Sequence, residues 1–299
     1  MRPIARAQLS GPTIQRPPPP LRPRSSMIQS VAAHIVPAPA AAGGRRQLVF
    51  VGCYTDSTPF LFGSTGGGVL SFELEPSTGA LTPLNGGKPT PAGTNPTYLT
   101  ASADGSRLYC GNETEPSEVR SFVIDATSDA PLTPLNSQPA HGLGACWVTL
   151  DHEGKHLLAA NYTSGSCCVF PIDAQTGGLL PASDVQEQGG TLGPNSNRQE
   201  GPHAHCVFFS PTSATDCYVP DLGMDMVHHF KYSSADGKLA LSSATSVSAA
   251  APGVGPRHFC FHPSGKFACE CACSLLSRAP CAAALCSCGC NASSCQQTS

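Results

Sequence analysis

The chain has 299 residues and a formal net charge of −3, enough length for one large domain or two small ones and no global basic field to draw it to nucleic acid. Only 12% of residues are charged, while Gly and Pro number 30 and 29, a balance that favours turns over helices. No apolar run approaches the roughly 18–20 residues that span a bilayer, so a membrane-spanning helix is not expected.

Residues 1–55 contain seven Arg and no acid; the first carboxylate is Asp56. An Arg-rich, acid-free leader resembles an organelle transit peptide, so residues 1–46 are read as a disordered leader addressed to the chloroplast. The mitochondrion, or an extension with no address on a cytoplasmic protein, are the alternatives. From Gln47 onward the text becomes strand-like, and four features recur in order. The first is a short apolar strand closed by a turn: "YLTASADG" (98–105), "WVTLDHEG" (147–154), "CVFFSPTS" (206–213) and "FCFHPSG" (259–265). The second is a strand ending in a small polar residue: "RLYCGNE", "HLLAANY", "DCYVPDL". The third carries Phe72, Phe122, Phe170 or Phe230, and the fourth is a turn plus Leu: "TGAL", "TGGL", "DGKL".

The Phe residues are spaced by 50, 48 and 60 positions. A strand-only period near 50 indicates a β-propeller with four antiparallel strands per blade. The longer interval holds an insertion, "EQGGTLGPNSNRQEG" (187–201). The expected fold is therefore all-β: a propeller over residues 47–268, incomplete, with about four blades and the start of a fifth. The first unit has no innermost strand of its own between the leader and "LVFVGCYT". A broken ring exposes strand edges and blade faces, which predicts self-association through them.

Aligning the units on Gly105, Gly154 and Gly265 puts Thr97, Cys146, His205 and Arg257 in one column. These residues start the innermost strands, and in a propeller such starts ring the central channel. Strand alternation puts His203 on the same face as His205. A His pair could also hold a metal, with His228 or His229 as a third ligand, but no clear third ligand accompanies it. Glu113 could offer a carboxylate from another blade or sit in a solvated loop. Asp221 and Asp225 read as turn formers, Trp147 as core packing, and Cys167 and Cys168 as small core residues.

Several of these motifs together, "VGCYT" (51–55), "NPTYL" (95–99), "ANYTSGS" (160–166), "RQEGPHAH" (198–205), "PDLGMD" (220–225) and "GPRHFCFHPSGKFA" (255–268), resemble the seven-bladed propeller lactonase family. That family includes 6-phosphogluconolactonases and a muconate cycloisomerase. The resemblance implies a lactone hydrolase of carbohydrate metabolism that opens a small sugar lactone and needs no redox cofactor; no cofactor and no metal are expected. It marks Arg198, His203, His205, Arg257 and His258 as site residues. His205 suits the general base because imidazole titrates near neutrality, with His203 or His258 as its partner. Arg257 suits the oxyanion or the sugar acid; Arg198 suits a phosphate or carboxylate. Glu113 is grouped with Arg198 as substrate-binding. The alternatives are an inactive propeller fragment acting as scaffold, and a cycloisomerase using the same cationic cleft. The family pattern has Asn-Glu after the strand that follows "GKFA"; this chain has Ala272 and Cys273 there.

After Ala268 the repeat stops. Residues 269–299 hold eight of the sixteen Cys and are read as an aberrant, disordered tail. Three readings compete for it: a misread gene product, a thiolate metal site, and a disulfide-rich cap.

Overall fold

Antiparallel meanders organise the described residues. In a computed structural model, the described residues are 33–37, 46–56, 64–246, 252–253, 255–262, 264 and 268–272. Most of residues 1–46, the Cys-rich stretch after Ala272, and Pro263, Gly265 and Cys273 lie outside the described residues. The first sheet runs β1 (Ala33–Pro37), β2 (Gln47–Gly52), β3 (Val69–Glu75) and β4 (Ala80–Pro83). The second runs β5 (Pro96–Ala101), β6 (Arg107–Asn112), β7 (Glu118–Ile124) and β8 (Leu132–Pro139). The third runs β9 (Ala145–Leu150), β10 (His156–Asn161), β11 (Ser166–Pro171) and β12 (Asp184–Glu187). The fourth runs β13 (Phe208–Ser210), β14 (Ser213–Asp221), β15 (Met226–Ser233) and β16 (Lys238–Ser246). A two-stranded sheet follows, β17 (Pro256–Phe261) and β18 (Ala268–Ala272). These are four propeller blades and the inner pair of a fifth.

One expectation is corrected. The first blade does have an innermost strand: β1 pairs antiparallel with β2, Ala33 opposite Val51 through Pro37 opposite Gln47. It comes from within the stretch read as leader. The apolar run "AHIVP" supplies a ladder partner that a purely compositional reading of an Arg- and Pro-rich segment hides.

The blades stack face to face, and strand alternation decides which neighbour each side chain meets. In β10, Leu157 and Ala159 join Tyr109, Val119 and Phe170 in the core shared with the second blade. Leu158 and Ala160 join Val219, Phe230 and Tyr232 in the core shared with the fourth. Cys167 and Cys168 split the same way, one into each core, and both are fully buried. The strand is thus apolar on both faces, unlike the half-wet strand of a single open sheet. The inner turns need a left-handed residue, and Gly105 (φ 73°) and Gly154 (φ 67°) provide it.

Candidate active site

The column of strand starts has a specific backbone cause. In the second blade Pro96 pairs with Asn112 and Tyr98 with Gly111, so Thr97 is an extra residue. In the third, Ala145 pairs with Asn161 and Trp147 with Ala160, which leaves Cys146 extra. In the fifth, Pro256 pairs with Ala272 and His258 with Cys271, which leaves Arg257 extra. Each is a β-bulge, and a bulge re-aims one side chain away from the regular ladder. In the fourth blade the ladder before β13 shrinks to one bridge, Ala204 to Asp221. His205 N–H donates to the Pro220 carbonyl at 3.1 Å there. Residues 203–205 are therefore not part of a regular strand, contrary to the alternation expected of them. Neighbouring starts touch: the Cys146 thiol donates to the His205 carbonyl and the Cys206 thiol to the Arg257 carbonyl, each at 3.3 Å.

In the second, third and fourth blades a polar residue ends the second strand and binds the loop ahead of the inner strand. Asn112 Nδ2 donates to the Ala92 and Thr94 carbonyls at 2.8 and 2.7 Å, and Asn161 Nδ2 to the Ala140 carbonyl at 2.9 Å. Asp221 reverses the polarity: its Oδ1 accepts the His203 N–H at 2.8 Å and the Met224 N–H at 3.0 Å. Asp221 is fully buried, its Oδ2 has no hydrogen-bond partner, and burial raises its pKa to about 6 against the pull of those N–H groups. The turn-forming role read from sequence is only part of what Asp221 does.

His205 is buried, and its Nδ1 has no hydrogen-bond partner. Burial, then the charges of Arg257, His258 and Arg198, hold its pKa well below the ordinary imidazole range. The His258 ring lies 5.0 Å from it, edge-on. Solvent reaches His258, yet the atoms crowding it, followed by Arg257, lower its pKa too. His203 is differently placed. Its Nδ1 donates to the Tyr162 carbonyl at 3.0 Å, its Nε2 faces Glu200 Oε1 at 3.1 Å, and its ring stacks on Tyr162 at 4.5 Å. The Tyr162 ring also meets His205 edge-on at 5.6 Å, and its hydroxyl accepts from Arg198 Nη2 at 3.0 Å. Arg257, His258, Arg198 and both imidazoles thus converge on one cleft.

Glu113 stands in that cleft rather than in a solvated loop. Its Oε2 accepts from the Tyr54 hydroxyl at 2.5 Å and from Thr97 Oγ1 at 3.0 Å. Burial and then Glu113 raise the Tyr54 pKa, while Arg257 pulls it down; the same two charges oppose each other at Cys146. A carboxylate and a guanidinium therefore bracket the bulge residues. Sequence reasoning missed Tyr54, Tyr162 and Glu200. Tyr162 had a signal, since it follows Asn161 as Glu113 follows Asn112. Tyr54 and Glu200 lie in loops with no repeat register. Trp147 is half-buried, stacks on Tyr98 at 4.0 Å, and donates to the Val207 carbonyl. Among the described residues, no three His, Cys, Asp or Glu side chains gather closely enough to hold a metal ion.

Blades whose bulged inner strands present a hydroxyl, a thiol and a guanidinium, with the Glu113 carboxylate bonded to the first of them, define a propeller with a polar central site. The chain belongs to the seven-bladed β-propeller lactonase family, whose sequence profile matches residues 48–270. It is 36% identical over 222 residues to a 6-phosphogluconolactonase of Bacillus subtilis, covering 73% of this chain and 57% of that one. The crystal structure of a candidate 6-phosphogluconolactonase from Bacteroides fragilis is similar at a TM-score of 0.64 and 35% identity, covering 78% of this chain and 63% of that one. A periplasmic gluconolactonase of Pseudomonas aeruginosa is similar at 0.61 and 26%, covering 76% and 61%. The chain thus spans about three fifths of the length of these proteins.

Proposed function

We propose that the chain is a sugar-lactone hydrolase of the 6-phosphogluconolactonase type. The observation that carries this reading is His205: a buried imidazole whose neutral form is favoured first by burial and then by the neighbouring charges of Arg257 and Arg198. A neutral imidazole can take a proton from water as the water oxygen attacks the lactone carbonyl carbon. Arg257 then faces the oxyanion, and a planar guanidinium suits both it and the product carboxylate. When the ring C–O bond breaks, the proton on His205 passes to the departing alkoxide. Lactone and water become the hydroxy acid, with no redox change. His203, with both ring nitrogens engaged, supports Tyr162 and the 203–205 segment; His258 is left as the second imidazole at the reacting side. Arg198 takes the phosphate or carboxylate end of the substrate. We assign this activity to the plastid on the strength of the Arg-rich leader; a fluorescent fusion of residues 1–46 found elsewhere would remove that assignment.

The test is hydrolysis of gluconolactone and its 6-phosphate above the spontaneous rate. His205→Ala is expected to lower turnover by roughly 10²–10⁴; a loss under threefold removes His205 as the base. One observation favours a second reading, a non-catalytic scaffold. Ala272 stands in the register position of Asn112 and Asn161, where the family pattern carries Asn. Folded wild-type chain without turnover on either lactone would select the scaffold.

A further inference from the structure

The turn between β14 and β15 ends on Asp225, a buried residue at φ 53°. A non-glycine residue in that region is strained unless something holds it there. Three donors hold this one. Gln199 Nε2 reaches Asp225 Oδ1 at 2.7 Å, Gly255 N–H reaches the same oxygen at 2.8 Å, and Gly253 N–H reaches Oδ2 at 2.5 Å. Gln199 is itself buried and fully used: Nε2 also donates to the Leu222 carbonyl at 2.9 Å, and Oε1 accepts the Asn195 N–H at 2.8 Å. The carboxylate therefore ties together two segments far apart in sequence. One is the 195–199 turn, which carries Arg198. The other is the approach to β17 at Gly253 and Gly255, and β17 carries Arg257.

We propose that Asp225 is a positioning residue that sets Arg198 and Arg257 relative to one another, as the two cations that meet the anionic groups, phosphate or carboxylate, of the ligand. The proposal rests on the lactonase reading for the ligand's class but not for its own test. A two-oxygen acceptor is required. Asn tolerates positive φ, yet its amide offers one acceptor, so whichever way it turns a buried N–H meets another donor. Displacing a binding group by about an ångström can cost on the order of a hundredfold.

The test is calorimetric titration of the full chain with 6-phosphogluconate, gluconate and inorganic phosphate. Wild type is expected to bind 6-phosphogluconate. Retained affinity for gluconate assigns the carboxylate, and for inorganic phosphate the phosphate. Asp225→Asn should weaken binding about tenfold, and by less than twofold when Arg198 and Arg257 are already Ala. Gln199→Met, of similar volume, should weaken binding only while Arg198 is present. Wild type binding none of the three anions overturns the proposal. So does Asp225→Asn within twofold of wild type, or a full tenfold loss that persists without the arginines. Should Asp225→Asn fail to fold, Gln199→Met within twofold of wild type overturns it alone. Anion coupling that persists in a chain with no lactone turnover removes the hydrolase reading and leaves the positioning role standing.

Discussion

Asp221 shows how a single buried oxygen shapes both stability and site. Its folded-state pKa of about 6 exceeds the ordinary carboxylate value. Between about pH 4 and 6 the folded chain therefore holds a proton that the unfolded chain has lost, and stability falls as pH rises through that window. Above pH 6 the charge stays buried with Oδ2 unpartnered. Asp221→Asn keeps an acceptor for the His203 and Met224 N–H groups and removes the charge. It should raise the stability measured by denaturant unfolding at pH 8 by about 1–3 kcal/mol and leave it unchanged at pH 4; equal effects at both pH values would contradict this. At the residue scale, His205 and Arg257 were legible because they occupy one column of a repeat. Asp221 was legible as a position but not as a charge. Whether a polar strand end donates, as Asn112 and Asn161 do, or accepts depends on backbone direction in the preceding loop, which no repeat pattern encodes.

At the scale of elements, the segment 201–205 is set by what packs against it as much as by its own bonds. Gly165, in the turn joining β10 to β11, has φ 61°, and a Cβ there would lie 2.4 Å from Pro202 Cβ and 2.5 Å from its carbonyl oxygen. Gly154 has nearly the same backbone (φ 67°) with nothing within 4 Å of the added carbon. Both Ala variants suffer the left-handed strain, about 1–2 kcal/mol. Only Gly165→Ala pushes on the histidine segment. It should lose at least tenfold in lactone turnover, while Gly154→Ala keeps turnover within twofold; equal turnover in the two would refute the link. The meander of β5 to β16 was readable because turns and Phe positions recur. β1 was not, since a five-residue strand in an Arg- and Pro-rich stretch has no repeat of its own and is made a strand by β2.

For the whole molecule, stability resides between blades rather than within them, because the central strands of the second and third blades divide their side chains between two cores. Leu158 is fully buried in the core of the third and fourth blades, whereas Leu241 is 58% exposed. Leu158→Ala should cost about 2–5 kcal/mol in denaturant unfolding; Leu241→Ala should stay within about 0.5 kcal/mol. A Leu158→Ala loss below 1 kcal/mol would mean the blades fold as separate units. The period near 50 announced this architecture, but which blade faces are covered follows from chain pairing that period alone does not specify.

The bulges at the strand starts carry a wider consequence. A residue left out of the ladder can be exchanged without altering any strand pairing, so its chemistry is uncoupled from the scaffold that presents it. Thr97, Cys146 and Arg257 already illustrate this: a hydroxyl, a thiol and a guanidinium stand on one repeated backbone device. Such sockets let a propeller acquire new reactions by single codon changes around an unaltered hub.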